Sequence, residues 1–154
     1  MLKEILTIQT VNTKVDAVDW EDAIRKAGAL LVDAGYAEQQ YVDAMVDVVN
    51  SYGPYIVILP GVALAHARPE CGAKKIGLSL ITLNEPVKFG NETFDPVKLV
   101  FALCATDNHS HLDLLQEIAI IFEDEKKMLE LADCENNEEL INTIYARIAE
   151  ANQK

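Results

Sequence analysis

The chain reads as an α/β protein of the α+β-like kind, with helices packed on a mixed β-sheet. Three observations predict this. Apolar residues recur at helical spacing between Trp20 and Val49, and again after Leu112. Between these stretches the pattern changes to short β-favouring runs separated by Gly, Pro and Asn. Two of those runs, 76–83 and 97–105, are apolar without strict alternation, as expected of strands covered on both faces.

Taken in order, the opening residues 5–11 roughly alternate and are β-rich, so they read as a strand. Asp19 is placed to cap a helix carrying Trp20, Ala23, Ile24, Ala27, Leu30 and Leu31, which stops near Gly35. A second helix starts near Glu38, gathers Tyr41, Val42, Met45, Val48 and Val49 on one face, and ends at Tyr52-Gly53-Pro54. Strands follow at 55–59, around Ala63, at 75–83 and at 97–105, with turns at Asn84-Glu85-Pro86 and Phe89-Gly90-Asn91-Glu92. Asp107 or Asn108 then caps a helix bearing Leu112, Leu115, Ile118, Ala119 and Phe122, and two further helices cover 125–131 and 138–151. No repeat or linker interrupts the 154 residues, which are expected to form one domain.

Half the residues are hydrophobic and a quarter charged, the composition of a globular protein. No apolar run is long enough to span a bilayer, and the N-terminus lacks a signal-peptide pattern, so a cytoplasmic protein without membrane insertion is expected. The formal charge of −12 comes from 25 acidic and 13 basic side chains. It disfavours nucleic acid and anionic lipid and favours partners with a basic patch, although solubility alone accounts for it equally well. Cys71, Cys104 and Cys134 are odd in number and irregularly spaced, which fits no disulfide framework or zinc ribbon and suits a reducing compartment. Neither Gly-x-x-x-x-Gly-Lys nor Gly-x-Gly-x-x-Gly occurs, so no nucleotide and no cofactor is expected. If the chain moves phosphate, it receives it from another protein.

Three histidines remain to carry chemistry. His66 follows a short β segment in a loop bounded by Pro60-Gly61 and Pro69, whose stiff residues define a backbone path. A neutral imidazole there has one nitrogen free as nucleophile if a backbone carbonyl holds the other. His109 and His111 lie where a strand gives way to a helix, and the unpaired N–H groups of a helix start form an anion site to which Ser110 adds a hydroxyl. Residues two apart on a helix diverge, so only one of these histidines need face that site. The bland alternatives are an incidental loop histidine and a plain polar cap. A zinc site built from the three histidines lacks an acidic or cysteine ligand at suitable spacing. A Cys/His pair has no better support: Cys104 sits inside an apolar strand, and Cys71 has no recognisable signature around it.

Residues 60–70, Pro-Gly-Val-Ala-Leu-Ala-His-Ala-Arg-Pro-Glu, resemble the active-histidine motif of the fructose/mannitol-type IIA components (EIIA type 2) of the bacterial phosphoenolpyruvate-dependent sugar phosphotransferase system. Residues 107–116, Asp-Asn-His-Ser-His-Leu-Asp-Leu-Leu-Gln, resemble the same family, and Gly-Pro-Tyr-Ile-Val-Ile at 53–58 is most like its ascorbate branch. The resemblance covers nearly the whole chain and implies a three-layer arrangement of helices around a central mixed β-sheet. It implies that His66 accepts a phosphoryl group from the histidine of HPr and passes it to a cysteine of a cognate IIB protein, for a substrate such as ascorbate entering through a membrane IIC permease. His111 would orient and stabilise that group, whereas His109 occupies a position the motif does not require. Two departures stand out. Ala65 replaces the usual proline before the active histidine, and the second-helix arginine of mannitol-type members is missing from Val48-Val49-Asn50-Ser51. Asn50 offers a hydrogen bond without charge, and Arg68 is the candidate substitute cation. An apolar rim supplied by Val62, Leu64 and Ala65 would exclude water during docking. The same histidine would also serve a regulatory, nitrogen-type IIA module, and a pure interaction domain is the third reading. Oligomeric state and the transported substrate, ascorbate, a pentitol or another sugar acid, stay open at this level.

Overall fold

The computed structural model describes residues 2–107 and 112–153, apart from the side chain of Asp113. Its centre is one mixed sheet of β1 (Val11–Val15), β2 (Val57–Leu59), β3 (Val62–Ala65), β4 (Gly77–Val87) and β5 (Val97–Cys104), in the order β1-β4-β5-β3-β2. The β1/β4 and β3/β5 pairs are parallel, and β4/β5 and β2/β3 are antiparallel. Two helices, α2 (Trp20–Asp33) and α3 (Gln39–Tyr52), cover one face. The other is covered by α1 (Leu2–Ile5), α4 (Leu112–Phe122), α5 (Glu125–Glu130) and α6 (Asn137–Asn152). None of these helices is long and apolar enough to cross a membrane.

The continuous apolar strands explain the three layers. Along β4 and β5, Ile81, Leu83, Val100 and Ala102 join the core under α2 and α3, while Leu78, Leu80, Leu99 and Phe101 join the opposite core. Alternate side chains of a strand point to opposite faces, so a strand buried on both faces favours apolar residues throughout, and the buried hydroxyls of β4, Ser79 and Thr82, are each hydrogen-bonded to backbone. Asp19 caps α2 as expected, its carboxylate accepting the Asp22 N–H at 2.8 Å. The helix ends where Gly35 adopts a φ of +79° and the Tyr36 N–H reaches back to the Leu31 carbonyl. Close approach of α2 to α3 is set by Gly28, where an added Cβ would lie 2.8 Å from a Val42 methyl.

The structure corrects three expectations. Residues 5–11 are not a strand: Leu2, Ile5 and Leu6 are buried at helical spacing around the short α1, Ile8 is 52 % exposed, and pairing begins only at Val11. Local alternation is outweighed there by the sheet's need for an apolar lid. Asn84-Glu85-Pro86 is no turn but the exposed far part of β4, beyond its last partner in β1 and within a register irregularity against β5. Proline is tolerated where a strand's N–H has no ladder partner to serve. On α4 the buried face is Leu114, Ile118 and Ile121, whereas Leu112, Leu115 and Ala119 are exposed. By sequence spacing Asp113, Gln116 and Glu117 fall on one side of that helix and leave a broad apolar arc on the rest, so periodicity does not decide which part of the arc is buried; packing on α6 and the sheet does.

Candidate functional site

His66 is the first residue beyond β3, at the carboxyl end of that strand, and β5 runs parallel beside it with Ala65 opposite Ala102. Carboxyl ends of parallel strands are where α/β sheets place their ligands. Residues 105–107 therefore leave β5 at the edge where His66 stands, and a hollow of about 170 Å³ is lined by His66, Ala67, Pro69, Ala105, Asp107 and Tyr41 among others. The approach to β3 is made by Pro60-Gly61, where Gly61 has φ +78° and an added Cβ would lie 2.8 Å from Leu129.

The His66 imidazole is half-buried, and its Nδ1 lies 3.0 Å from the Leu64 carbonyl oxygen. A carbonyl only accepts, so this contact assigns the proton to Nδ1 and leaves the lone pair on Nε2. The Tyr55 ring meets the imidazole edge-on, with centroids 6.0 Å apart and planes at 79°. Tyr55, Tyr52, Val48, Arg68 and Pro69 join His66 around a shallow cleft of about 680 Å³. Behind it the buried Tyr41 hydroxyl accepts the Ala67 N–H at 3.0 Å and donates to the Leu103 carbonyl at 2.7 Å. Burial pushes the Tyr41 phenol well above its ordinary range, so it stays a hydroxyl.

Of the residues singled out in the sequence, His66 and Arg68 share this cleft. Asn50 is exposed and does not line it; α3 contributes Val48 and Tyr52 instead. Asn108, His109, Ser110 and His111, the segment in which the sequence places the phosphate-holding helix start, lie outside the described residues. The expected apolar rim is corrected: Val62 and Ala65 are fully buried in the cores on opposite faces of the sheet, and the half-buried Leu64 packs on the same core as Val62 and does not line the cleft. Apolar surface near the site comes instead from Tyr52 and Tyr55, 75 % and 52 % exposed. Cys104 is buried against the Lys75 carbonyl, and burial pushes its thiol up to about 12, which removes it as a nucleophile. Among the described residues, no group of three or more His, Cys, Asp and Glu side chains is arranged to hold a metal ion.

Sequence reasoning placed Tyr41 among the apolar residues of the second helix and missed its polar end. The signal was available: a tyrosine within a Val/Met face must find a partner for its hydroxyl once buried.

The model of the family "phosphoenolpyruvate-dependent sugar phosphotransferase system, EIIA 2" matches residues 4–147, and so takes in the whole sheet and the His66 loop. The chain belongs to that family. This EIIA 2 chain is 36 % identical over 137 residues to the ascorbate-specific EIIA component of Escherichia coli K12, covering 88 % of this chain and 89 % of that one. It is similar to the mannitol-specific cryptic enzyme IIA of Escherichia coli, with 34 % identity, a TM-score of 0.82 and coverage of 93 % and 97 %. It is also similar to the mannitol enzyme IIA of Escherichia coli seen in complex with phosphorylated enzyme IIB, with 25 % identity, a TM-score of 0.78 and coverage of 92 % and 99 %.

Proposed function

We propose that this EIIA 2 chain is a cytoplasmic phosphoryl carrier that takes its group from phospho-HPr onto Nε2 of His66 and hands it to a cysteine of a cognate IIB protein. The IIB protein would serve a membrane IIC permease for L-ascorbate or a related sugar acid or pentitol. The observation that carries this reading is the hydrogen bond between Nδ1 of His66 and the Leu64 carbonyl. It fixes the tautomer of the neutral ring before the donor arrives, so the nucleophilic lone pair is already on Nε2.

In the transfer, Nε2 attacks phosphorus while the bond between phosphorus and the donor imidazole breaks in line, and the departing imidazole keeps the electron pair. As the Nε2–P bond forms, positive charge develops on the His66 ring. The Leu64 carbonyl then accepts from a more acidic N–H, an interaction stronger in the transition state than in the ground state. No bound cofactor takes part in this scheme. Ser110 and His111 are assigned to the phosphoryl oxygens on the family resemblance, with Arg68 as the nearby cation. The ascorbate-specific relative supports the substrate class, and the mannitol IIA–IIB complex supports the IIB partner.

The test is incubation with phosphoenolpyruvate, enzyme I and HPr, followed by intact mass. One acid-labile, base-stable phosphoryl group is expected on the wild-type chain and none on His66→Ala. Full labelling of that variant would overturn the assignment.

A further inference from the structure

Resting on the phosphoacceptor role proposed for His66, the geometry points to Tyr41 as a positioning residue for transfer: its buried hydroxyl locks the loop after His66 onto the end of β5. Three parts of the molecule meet at that one oxygen. It belongs to α3, accepts the N–H of Ala67, the residue following His66, and donates to the carbonyl of Leu103 near the end of β5. The Ala67 carbonyl lies 3.1 Å away on the same oxygen.

Packing does not require the oxygen. The other buried residues of α3, Val42, Met45, Val46 and Val49, are apolar, and a phenylalanine ring would fill the same space. A buried hydroxyl carries a desolvation cost that only its hydrogen bonds offset, and here every one of them goes to the His66 loop or to β5. The other holds on these residues are a small apolar contact of the Ala67 methyl with the core, the edge contact of the His66 ring with Tyr55 and its tether to Leu64, while Arg68 is exposed. Tyr41 therefore sets the distance between the acceptor imidazole and the strand end leading to Ala105 and Asp107, which line the hollow beside His66. A phenol is protonated throughout the neutral range and burial raises this one further, so the lock does not open with pH there.

The experiment compares the wild-type chain, Tyr41→Phe and Ser79→Ala in steady-state transfer from phospho-HPr. Ser79 is the control, because its buried hydroxyl also donates to a backbone carbonyl, that of Ala27 at 2.7 Å, but holds no part of the His66 loop. Tyr41→Phe is expected to lower kcat by roughly 10- to 100-fold, the scale of a small misplacement of reacting groups, while KM stays within about twofold. Ser79→Ala is expected to lose thermal stability with kcat unchanged. Wild-type kcat in Tyr41→Phe, or equal slowing in both variants, overturns the role of Tyr41 and leaves His66 as the acceptor. A wild-type chain that gains no phosphoryl group fails one step earlier, at the reading of His66. The wild-type Ala67 amide supplies an independent measurement should Tyr41→Phe not fold: slow hydrogen exchange is expected, and exchange as fast as an open loop amide overturns the lock.

Discussion

An imidazole serves as a phosphoryl acceptor when one nitrogen is kept unprotonated and aimed along the donor's path. On the role proposed for His66, the Leu64 carbonyl holds the proton of the neutral ring on Nδ1 so that Nε2 carries the lone pair, and the ring stands at the open end of β3. The anionic group then needs donors, and the structure separates two candidates that looked equivalent in the sequence. Arg68 lines the His66 cleft and Asn50 does not. Arg68→Ala is therefore expected to slow transfer by about tenfold, equivalent to ~1.4 kcal/mol of barrier, and Asn50→Ala to leave it unchanged. Stopped-flow or quenched transfer from phospho-HPr would decide, and a reversed order would return the cation's task to α3. His111→Ala should slow transfer by roughly 10²-fold, the usual effect of losing one aimed donor, with the circular dichroism spectrum unaltered. A wild-type rate in that variant would remove the histidine from the site. His66 was legible because its motif is local and chemically distinctive. Tyr41 was not, because its partners lie 26 and 62 residues away and only the closed fold brings them to one oxygen.

At the scale of elements, legibility followed how local the determining physics is. Caps and breakers such as Asp19, Gly35 and Gly53 act within a few residues of themselves, and α2 and α3 start and stop where they dictate. The opening segment and α4 are settled by what lies across the core. Nothing in Ile5 or Leu6 themselves distinguishes a strand from a helical lid over Leu78 and Leu80, and the apolar arc of α4 is broader than the part the core covers. The α2 cap is the element most open to test. Asp19→Ala removes the acceptor of the Asp22 N–H and should cost about 1 kcal/mol. In a chain of this size that lowers Tm by about 2–4 °C, measurable by thermal denaturation, with transfer kinetics unchanged. The same turn has an acid-side signature. The Val18 N–H, followed by Lys26, holds the Asp22 carboxyl below its ordinary value. A lowered pKa contributes stability above the carboxyl's unfolded value and loses it as pH falls through the folded one. Acidification should therefore loosen the start of α2.

The whole molecule carries a formal charge of −12. The basic side chains of α2 are already engaged with acidic ones: Arg25 with Glu21 and Asp43, and Lys26 with Asp22. The excess of 25 acidic over 13 basic side chains gives the molecule a negative field that acts at a distance on whatever approaches. A phospho-HPr that docks through a basic patch would be drawn in by that field, and the effect belongs to encounter rather than to chemistry. Once docked, the Nδ1 tether, the Tyr41 lock and the half-buried imidazole work within a few ångströms, where salt screens little. Ionic strength should thus separate the two stages. Raising salt from about 0.01 M to about 0.15 M shortens the screening length from about 30 Å to about 8 Å. KM for phospho-HPr is expected to rise several-fold over that range while kcat holds nearly constant. The measurement is a salt series of initial transfer rates at fixed pH. A KM that stays flat would mean that the exposed rings of Tyr52 and Tyr55 carry docking without help from the field, leaving the acidity to solubility alone. A kcat that falls in step with KM would place the charge dependence inside the transfer itself.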